Sequence, residues 1–301
     1  MGSYRAIVAT AWMTAILGCG GVRLADLDAP RPAPAGACVV VGLLGGLDAW
    51  DESDKGVRRL ALALRDPGRG VYAETFENRS VGVARRFALQ TLDRDGDGMV
   101  AAAEAERVRL VVYGQSLGGW AAVRLARLLA ADGVPIDLLV LIDSVGWSDG
   151  TVPANVRRAA NLYQDDGLVI QGEHPLRPAD TTLTDVVGEW EYEYDEPPGS
   201  EIEVGELPWH KLAFRAAHAK MDRDPRVWRR VEALVQEACQ GGQWRERVGI
   251  EPTSDATRAP DDGFEDRRGH QTPSAPGRNE PTARGLNLGR LDNGAERTAG
   301  T

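Results

Sequence analysis

Lysine is nearly missing from this chain and cysteine is scarce. Of 35 basic residues only Lys55, Lys211 and Lys220 are lysine, a coding bias that carries no function. The cations are outnumbered by 45 acidic residues, giving a formal net charge of −10. Such a surface is poorly suited to neutralising phosphates, so nucleic acid is not an expected partner. The three cysteines, Cys19, Cys38 and Cys239, are too few and too widely spaced for a disulfide scaffold or a zinc motif. The uncharged stretch Ala6–Gly18 has 13 residues, short of the roughly 20 that span a bilayer. No internal repeat is visible. What the 301 residues do have is a 43% hydrophobic share. That is enough for one α/β domain with appendages or two small domains, and it excludes wholesale disorder.

The ends read differently from the middle. Arg5 and the run Ala6–Gly18 have the charge and length of a secretory signal. The run closes on Ile16-Leu17-Gly18-Cys19, which resembles the bacterial lipobox. That resemblance implies acylation of Cys19, a membrane contact through the lipid, and a place in the bacterial cell envelope. An ordinary signal peptide over 1–19, with a secreted or periplasmic product, is the plainer alternative. Myristoylation at Gly2 is excluded because position six is Ala6. Residues 20–37 contain Ala29-Pro30-Arg31-Pro32-Ala33-Pro34, and alternating prolines predict an extended spacer holding a domain off the membrane. Residues 250–301 are polar, aperiodic and poor in large apolar side chains, which predicts a disordered tail.

Between them, 38–249 alternates two patterns. Cys38–Leu44 is a continuous apolar run, as in a strand buried on both faces. Val57, Leu60, Ala61 and Leu64 then follow helical spacing. Further strands are predicted at about 70–76, 110–113 and 138–142, with helices over 81–92 and 118–131. The predicted class is therefore α/β, a mostly parallel central sheet with helices on both faces. Ligands in such sheets bind beyond the carboxyl ends of the strands.

At one of those ends stands Gly114-Gln115-Ser116-Leu117-Gly118-Gly119, a G-x-S-x-G between a strand and a helix. The glycines allow a sharp turn that projects the Ser116 hydroxyl out of the sheet. With Leu43-Leu44-Gly45-Gly46-Leu47 after the first strand and the order Ser–Asp–His along the chain, the sequence resembles the α/β-hydrolase superfamily, its thioesterase-like and lipase-like members in particular. The resemblance covers roughly 38–239. It implies an oxyanion hole formed by the backbone N–H of Leu117 and of Gly46 or Leu47.

The acid and the base are open choices. Asp143 ends an apolar strand, where a carboxylate is costly unless a partner meets it; Leu-Ile-Asp-Ser there also looks like thioesterase domains. Asp165 and Asp166 are the rivals, after a possible strand at 160–164. Of four histidines, His270 falls in the tail and His174 in a polar loop close to the rival acids. His218 precedes Asp224-Pro225, a helix start with aspartate at the N-cap and proline at the first turn; the resemblance places the base on the loop entering the last helix. His210 is the runner-up.

The most specific local motif is Asp93-Arg94-Asp95-Gly96-Asp97-Gly98-Met99-Val100-Ala101-Ala102-Ala103-Glu104. It fits the twelve-residue EF-hand loop, with carboxylates from Asp93, Asp95 and Asp97, the carbonyl of Met99 and a bidentate Glu104. One loop without a paired second hand predicts a structural Ca²⁺ ion rather than a sensor. Residues 188–194 alternate acid with aromatic, predicting a strand whose Trp190, Tyr192 and Tyr194 pack in the core or line a groove.

These features lead us to expect a serine hydrolase acting on an ester or thioester of a small-molecule or lipid acyl substrate, tethered to the envelope, with Ser116, His218 and Asp143 as its catalytic set. A calcium-stabilised binding domain that kept the fold without turnover, and an acyltransferase using the same acyl-enzyme, are the rival readings.

Overall fold

The computed structural model describes residues 21–166, 172–204 and 209–241. The expected signal segment with Cys19 and the expected tail lie outside them. By internal contacts the chain separates into Met1–Pro252 and Thr253–Thr301, and the second unit lies wholly outside the described residues.

Six strands make the main sheet: β1 (Cys38–Leu44), β2 (Val71–Glu77), β3 (Arg109–Gln115), β4 (Leu138–Ile142), β5 (Arg158–Tyr163) and β6 (Asp185–Glu191). They lie in the order β2-β1-β3-β4-β5-β6, and every neighbouring pair is parallel. The helices are α1 (Gly56–Leu64), α2 (Val81–Leu92), α3 (Ala102–Ala105), α4 (Leu117–Ala131), α5 (Trp209–Arg223) and α6 (Pro225–Gln240). The α/β class with a mostly parallel sheet is thus the observed one.

The uninterrupted apolar strands have the expected cause. Successive side chains point to opposite faces, and both faces are covered. Val39, Val41 and Leu43 enter the layer with α2 and α4, whereas Val40 and Leu44 enter the layer with α1 and α6. Asp224 caps α6 as predicted, accepting from the Arg226 N–H at 2.8 Å. Buried Tyr192 and Tyr194 belong to the second layer, with Trp190 packed against it, so core packing is the role of this aromatic run; the strand itself ends at Glu191. The chain leaves β1 towards β2 on one side and returns to β3 on the other, a switch point that opens a crevice at the carboxyl ends of β1 and β3.

Two expectations are corrected. The first concerns 20–37: its described part, from Gly21 on, is no spacer. Val22, Leu27, Ala29, Ala33 and Ala37 are buried in the α2/α4 layer. Glu74 in the middle of β2 and Glu77 at its end, both buried, draw the segment in. Glu74 Oε1 accepts from the N–H groups of Asp28 (2.7 Å) and Ala29 (3.0 Å), and the Glu77 carboxylate accepts from Val22 N–H at 3.2 and 3.3 Å. Buried carboxylates demand donors, and the backbone N–H groups of Val22, Asp28 and Ala29, ahead of the first proline, supply them.

The second correction concerns cysteine. Cys38 at the start of β1 and Cys239 near the end of α6 form a disulfide, with Cα atoms 5.2 Å apart across 201 residues of sequence. It ties the last described helix to the first strand. Bridges of this kind contribute about 2–5 kcal/mol, mainly by restricting the unfolded chain. We expect Cys38→Ala/Cys239→Ala to lower the unfolding temperature by on the order of 10 °C, measured by calorimetry beside the oxidised wild type, with reductant reproducing the shift.

Candidate active site

Ser116 sits between β3 and α4 with φ 58° and ψ −130°, a conformation that a side chain tolerates only where its surroundings impose it. The imposition comes from backbone packing. A Cβ on Gly114 would stand 2.2 Å from the Gly118 carbonyl oxygen, one on Gly118 2.0 Å from that of Leu43, and one on Gly119 2.5 Å from Ser144 Oγ. Helix α4 can therefore run directly against β1 and the β4 loop, and the turn before it has no room to relax. Ser116 N–H donates to the Ile142 carbonyl at 3.0 Å, and Ser116 O accepts from Val145 N–H at 3.3 Å. The corner is bonded on both sides.

The structure brings three sequence-predicted residues together. His218 Nε2 lies 2.8 Å from Ser116 Oγ, and His218 Nδ1 lies 2.6 Å from Asp143 Oδ2. A carboxylate only accepts, so the imidazole proton on Nδ1 points at Asp143 and Nε2 is left to accept from the serine hydroxyl. Asp143 is fully buried. It too has a positive φ, 45°, and its N–H continues the sheet by donating to the Leu162 carbonyl at 2.7 Å. Gln164, at the end of the neighbouring strand β5, donates from Nε2 to both oxygens of Asp143, at 3.2 and 3.3 Å. Sequence reasoning passed over Gln164, although its place at an adjacent strand end was the available signal.

The other candidates are elsewhere. Asp166 accepts from the Tyr194 backbone N–H, and Asp143, not Asp165 or Asp166, faces the imidazole. The His174 ring stacks on Tyr163 with centroids 4.2 Å apart. His210 lies in α5, its side chain outside the described residues, as is all of His270. His218 lies inside helix α5 rather than on a loop: the chain breaks between α5 and α6 only at Asp224, so the helix carries the imidazole to the serine.

Beside Ser116 and His218 lies a cavity of about 520 Å³, whose wall includes Gly46, Leu117, Lys55, Asp48 and Asp222. Gly46 (φ 52°) sits in a turn fixed by Asn78, whose Nδ2 donates to the carbonyls of Gly46 at 2.6 Å and Leu44 at 3.2 Å. The side chain of Leu47 points away to solvent, 92% exposed. Lys55 Nζ pairs with Asp48 Oδ1 at 3.0 Å. Burial raises the Asp48 carboxyl, against the pull of Lys55. It raises Asp222 likewise, against the Gly56 N–H that the side chain accepts. For Lys55 burial acts downward, but the hydrogen bond and charge of Asp48, with Glu52 and Asp222, outweigh it and hold the ammonium above its ordinary value. This charged wall was not foreseen.

In the acidic loop the side chains of Asp93, Asp95 and Asp97 converge, each offering an oxygen within 4.8 Å of the others. Glu104 does not join them. Its position in the first turn of α3 turns it to capping: Oε2 accepts from Ala101 N–H at 2.9 Å and Oε1 from Arg94 N–H at 2.8 Å, and these bonds lower its carboxyl pKa. The Met99 side chain is exposed.

No protein-family model matches the chain, and no curated protein matches it. Among solved structures, XC6422 from Xanthomonas campestris, an α/β serine hydrolase without a lid, is 12% identical over 71% of this chain and 86% of its own, with TM-score 0.35. A cutinase-like protein from a Cryptococcus species is 14% identical over 71% of this chain and 99% of its own, with TM-score 0.35. The esterase LipW from Mycobacterium marinum is 24% identical over 46% of this chain and 48% of its own, with TM-score 0.24. The α/β class rests on the parallel sheet itself, and the corner at Ser116 is a sharp strand-to-helix turn of the nucleophile-elbow kind.

The glycine packing is open to a direct check. Gly118→Ala, which forces a Cβ onto the Leu43 backbone, should cost roughly 1–3 kcal/mol of stability. Gly82→Ala, in α2 with nothing within 4 Å of the new atom, should be neutral or stabilise by up to about 1 kcal/mol. Equal unfolding midpoints in urea for both variants would contradict the account.

Proposed function

We propose that the protein is a serine hydrolase that cleaves an ester or thioester through an acyl-enzyme. The observation that carries the reading is the unbroken chain Ser116 Oγ to His218 Nε2 to Asp143, at 2.8 and 2.6 Å. In this reading Ser116 Oγ attacks the acyl carbonyl while His218 Nε2 takes its proton, and the buried Asp143 carboxylate stabilises the imidazolium. The carbonyl oxygen gains the negative charge. Backbone N–H groups of Leu117 and of Gly46 or Leu47 are the donors assigned to it. Collapse breaks the bond to the alcohol or thiol, which leaves with the proton from His218. Water, deprotonated by the same nitrogen, then releases the acid. Gln164 acts as a positioning residue, holding Asp143 for the ring.

The test is covalent labelling by a fluorophosphonate. Wild type should label, Ser116→Ala should not, and His218→Ala should slow labelling at least a hundredfold, the scale of general-base assistance. Labelling that persists in Ser116→Ala would place the nucleophile elsewhere.

We propose further that Asp93, Asp95 and Asp97, with the Met99 carbonyl and a reoriented Glu104, hold a structural Ca²⁺ ion between α2 and β3. Clustered carboxylates are favourable around a hard cation and repel without one. Chelator should lower the unfolding temperature, and Glu104→Gln should make the protein insensitive to chelator. An unchanged wild-type thermogram with and without Ca²⁺ would remove the ion from the account.

Acylation of Cys19 and attachment to the envelope are the third part of the reading. A disulfide between Cys38 and Cys239 fits export, because such bridges persist in oxidising compartments.

A further inference from the structure

We infer that the catalytic face is turned towards the bilayer, so that the enzyme draws its ester from the membrane to which it is anchored. This rests on the hydrolase reading and on acylation of Cys19, and it deepens both by naming a lipid surface as the partner.

The first observation is where the anchor must attach. Gly21 and Val22 are held at the carboxyl end of β2: Val22 N–H donates to Glu77, and Glu77 is the last residue of that strand, paired in register with Leu44 at the end of β1. The next residue, Asn78, donates to the Gly46 carbonyl, and Gly46 lines the cavity beside Ser116. Cys19 is only two residues before Gly21. Extended chain covers at most about 3.6 Å per residue, so the lipid-bearing residue lies within about 7 Å of Gly21. The anchor is therefore confined to the rim of the sheet that holds the nucleophile.

The second observation is independent of the anchor. Large apolar side chains exposed among the described residues are Leu47, Leu62, Met99, Leu117, Trp147 and Leu183. Three of the six form one group by topology. Leu47 follows β1, Leu117 follows β3 and Trp147 follows β4, and these are adjacent strands. Trp147 is 87% exposed, Leu47 92% and Leu117 40%. Apolar residues gathered at one rim mark an interaction surface more than single scattered ones do. Tryptophan is at home at the membrane–water boundary, where its ring is buried and its N–H stays wet. A collar on the carboxyl rim and a lipid beginning at the same rim identify the bilayer as the occupant.

The experiment uses the full chain with its leader, produced in a bacterial host and incorporated into phosphatidylcholine/phosphatidylglycerol vesicles whose acyl chains are brominated to quench tryptophan. The wild type should be quenched, and Trp147→Phe should lose at least half of that quenching although it removes only one of the 7 tryptophans left, of 8 in the full chain, once the leader with Trp12 is cleaved. Ser116→Ala should be quenched like wild type, because contact with lipid does not need turnover. Absence of wild-type quenching, or quenching untouched by Trp147→Phe, would overturn the inference. So would an unquenched protein whose labelling at Ser116 is blocked by a soluble long-chain ester, since the collar would then serve a dissolved acyl group. Fluorophosphonate labelling of the same samples separates the outcomes: quenching without labelling retires the hydrolase and leaves the orientation, and labelling without quenching does the reverse.

Discussion

The backbone corner at Ser116 is the constraint on which the site depends. A serine at φ 58° is strained, and it persists because glycines at 114, 118 and 119 let three stretches of main chain close around it. Only then can α4 start against Leu43, and Ser144, beside Asp143, stand against Gly119. Asp143 repeats the device at φ 45°, its side chain turned out of a strand end whose N–H still serves the sheet. Two strained residues on neighbouring strands thus point their oxygens at one imidazole. The fully packed apolar layers beneath are what make the strain affordable.

How much of this was legible in the sequence follows from which interactions are local. Strand β1 announces itself because burial on both faces needs apolar residues at every position. The Ser116 turn is encoded within six residues, and the α6 start within two, Asp224 and Pro225. The N-terminal segment was misread because its partners are remote: Glu74 and Glu77 are separated from it by about fifty residues, and alanines between prolines give no hydrophobic period although five apolar side chains are buried. Glu104 carries two local signals at once. The EF-hand spacing and a helix-capping position coincide at one residue, and spacing cannot say which hydrogen bonds win. The disulfide was hidden by parity, since three cysteines look unpaired. Setting Cys19 aside for a lipid leaves Cys38 and Cys239 as an even pair, and the two readings support one another.

The wall and rim of the cavity divide the chemistry of recognition. Asp48, Lys55 and Asp222 make a charged wall in which burial works against each carboxylate, Lys55 holding Asp48 and the Gly56 N–H holding Asp222. A half-buried cation among anions is a poor place for an acyl chain but a good one for the polar part of an ester. The apolar side chains Leu47, Leu117 and Trp147 stand instead at the open rim. An ester arriving with its chain at the rim and its polar end at the wall would cross Ser116 between them.

Orientation at a membrane is a matter of how many residues are free between lipid and fold. Were 20–37 a flexible spacer, its 18 residues would let the domain wander over about 24 Å, by square-root scaling of a loose chain. Such a tether fixes concentration near the surface but not direction. With Val22 already clamped by Glu77 the free length shrinks to a few residues, and the arc open to the domain shrinks with it. The two buried glutamates of β2 therefore do more than satisfy the backbone of a proline-rich strap. They make the strap part of the domain, and under the proposed acylation of Cys19 they set which rim of the sheet the lipid would leave from.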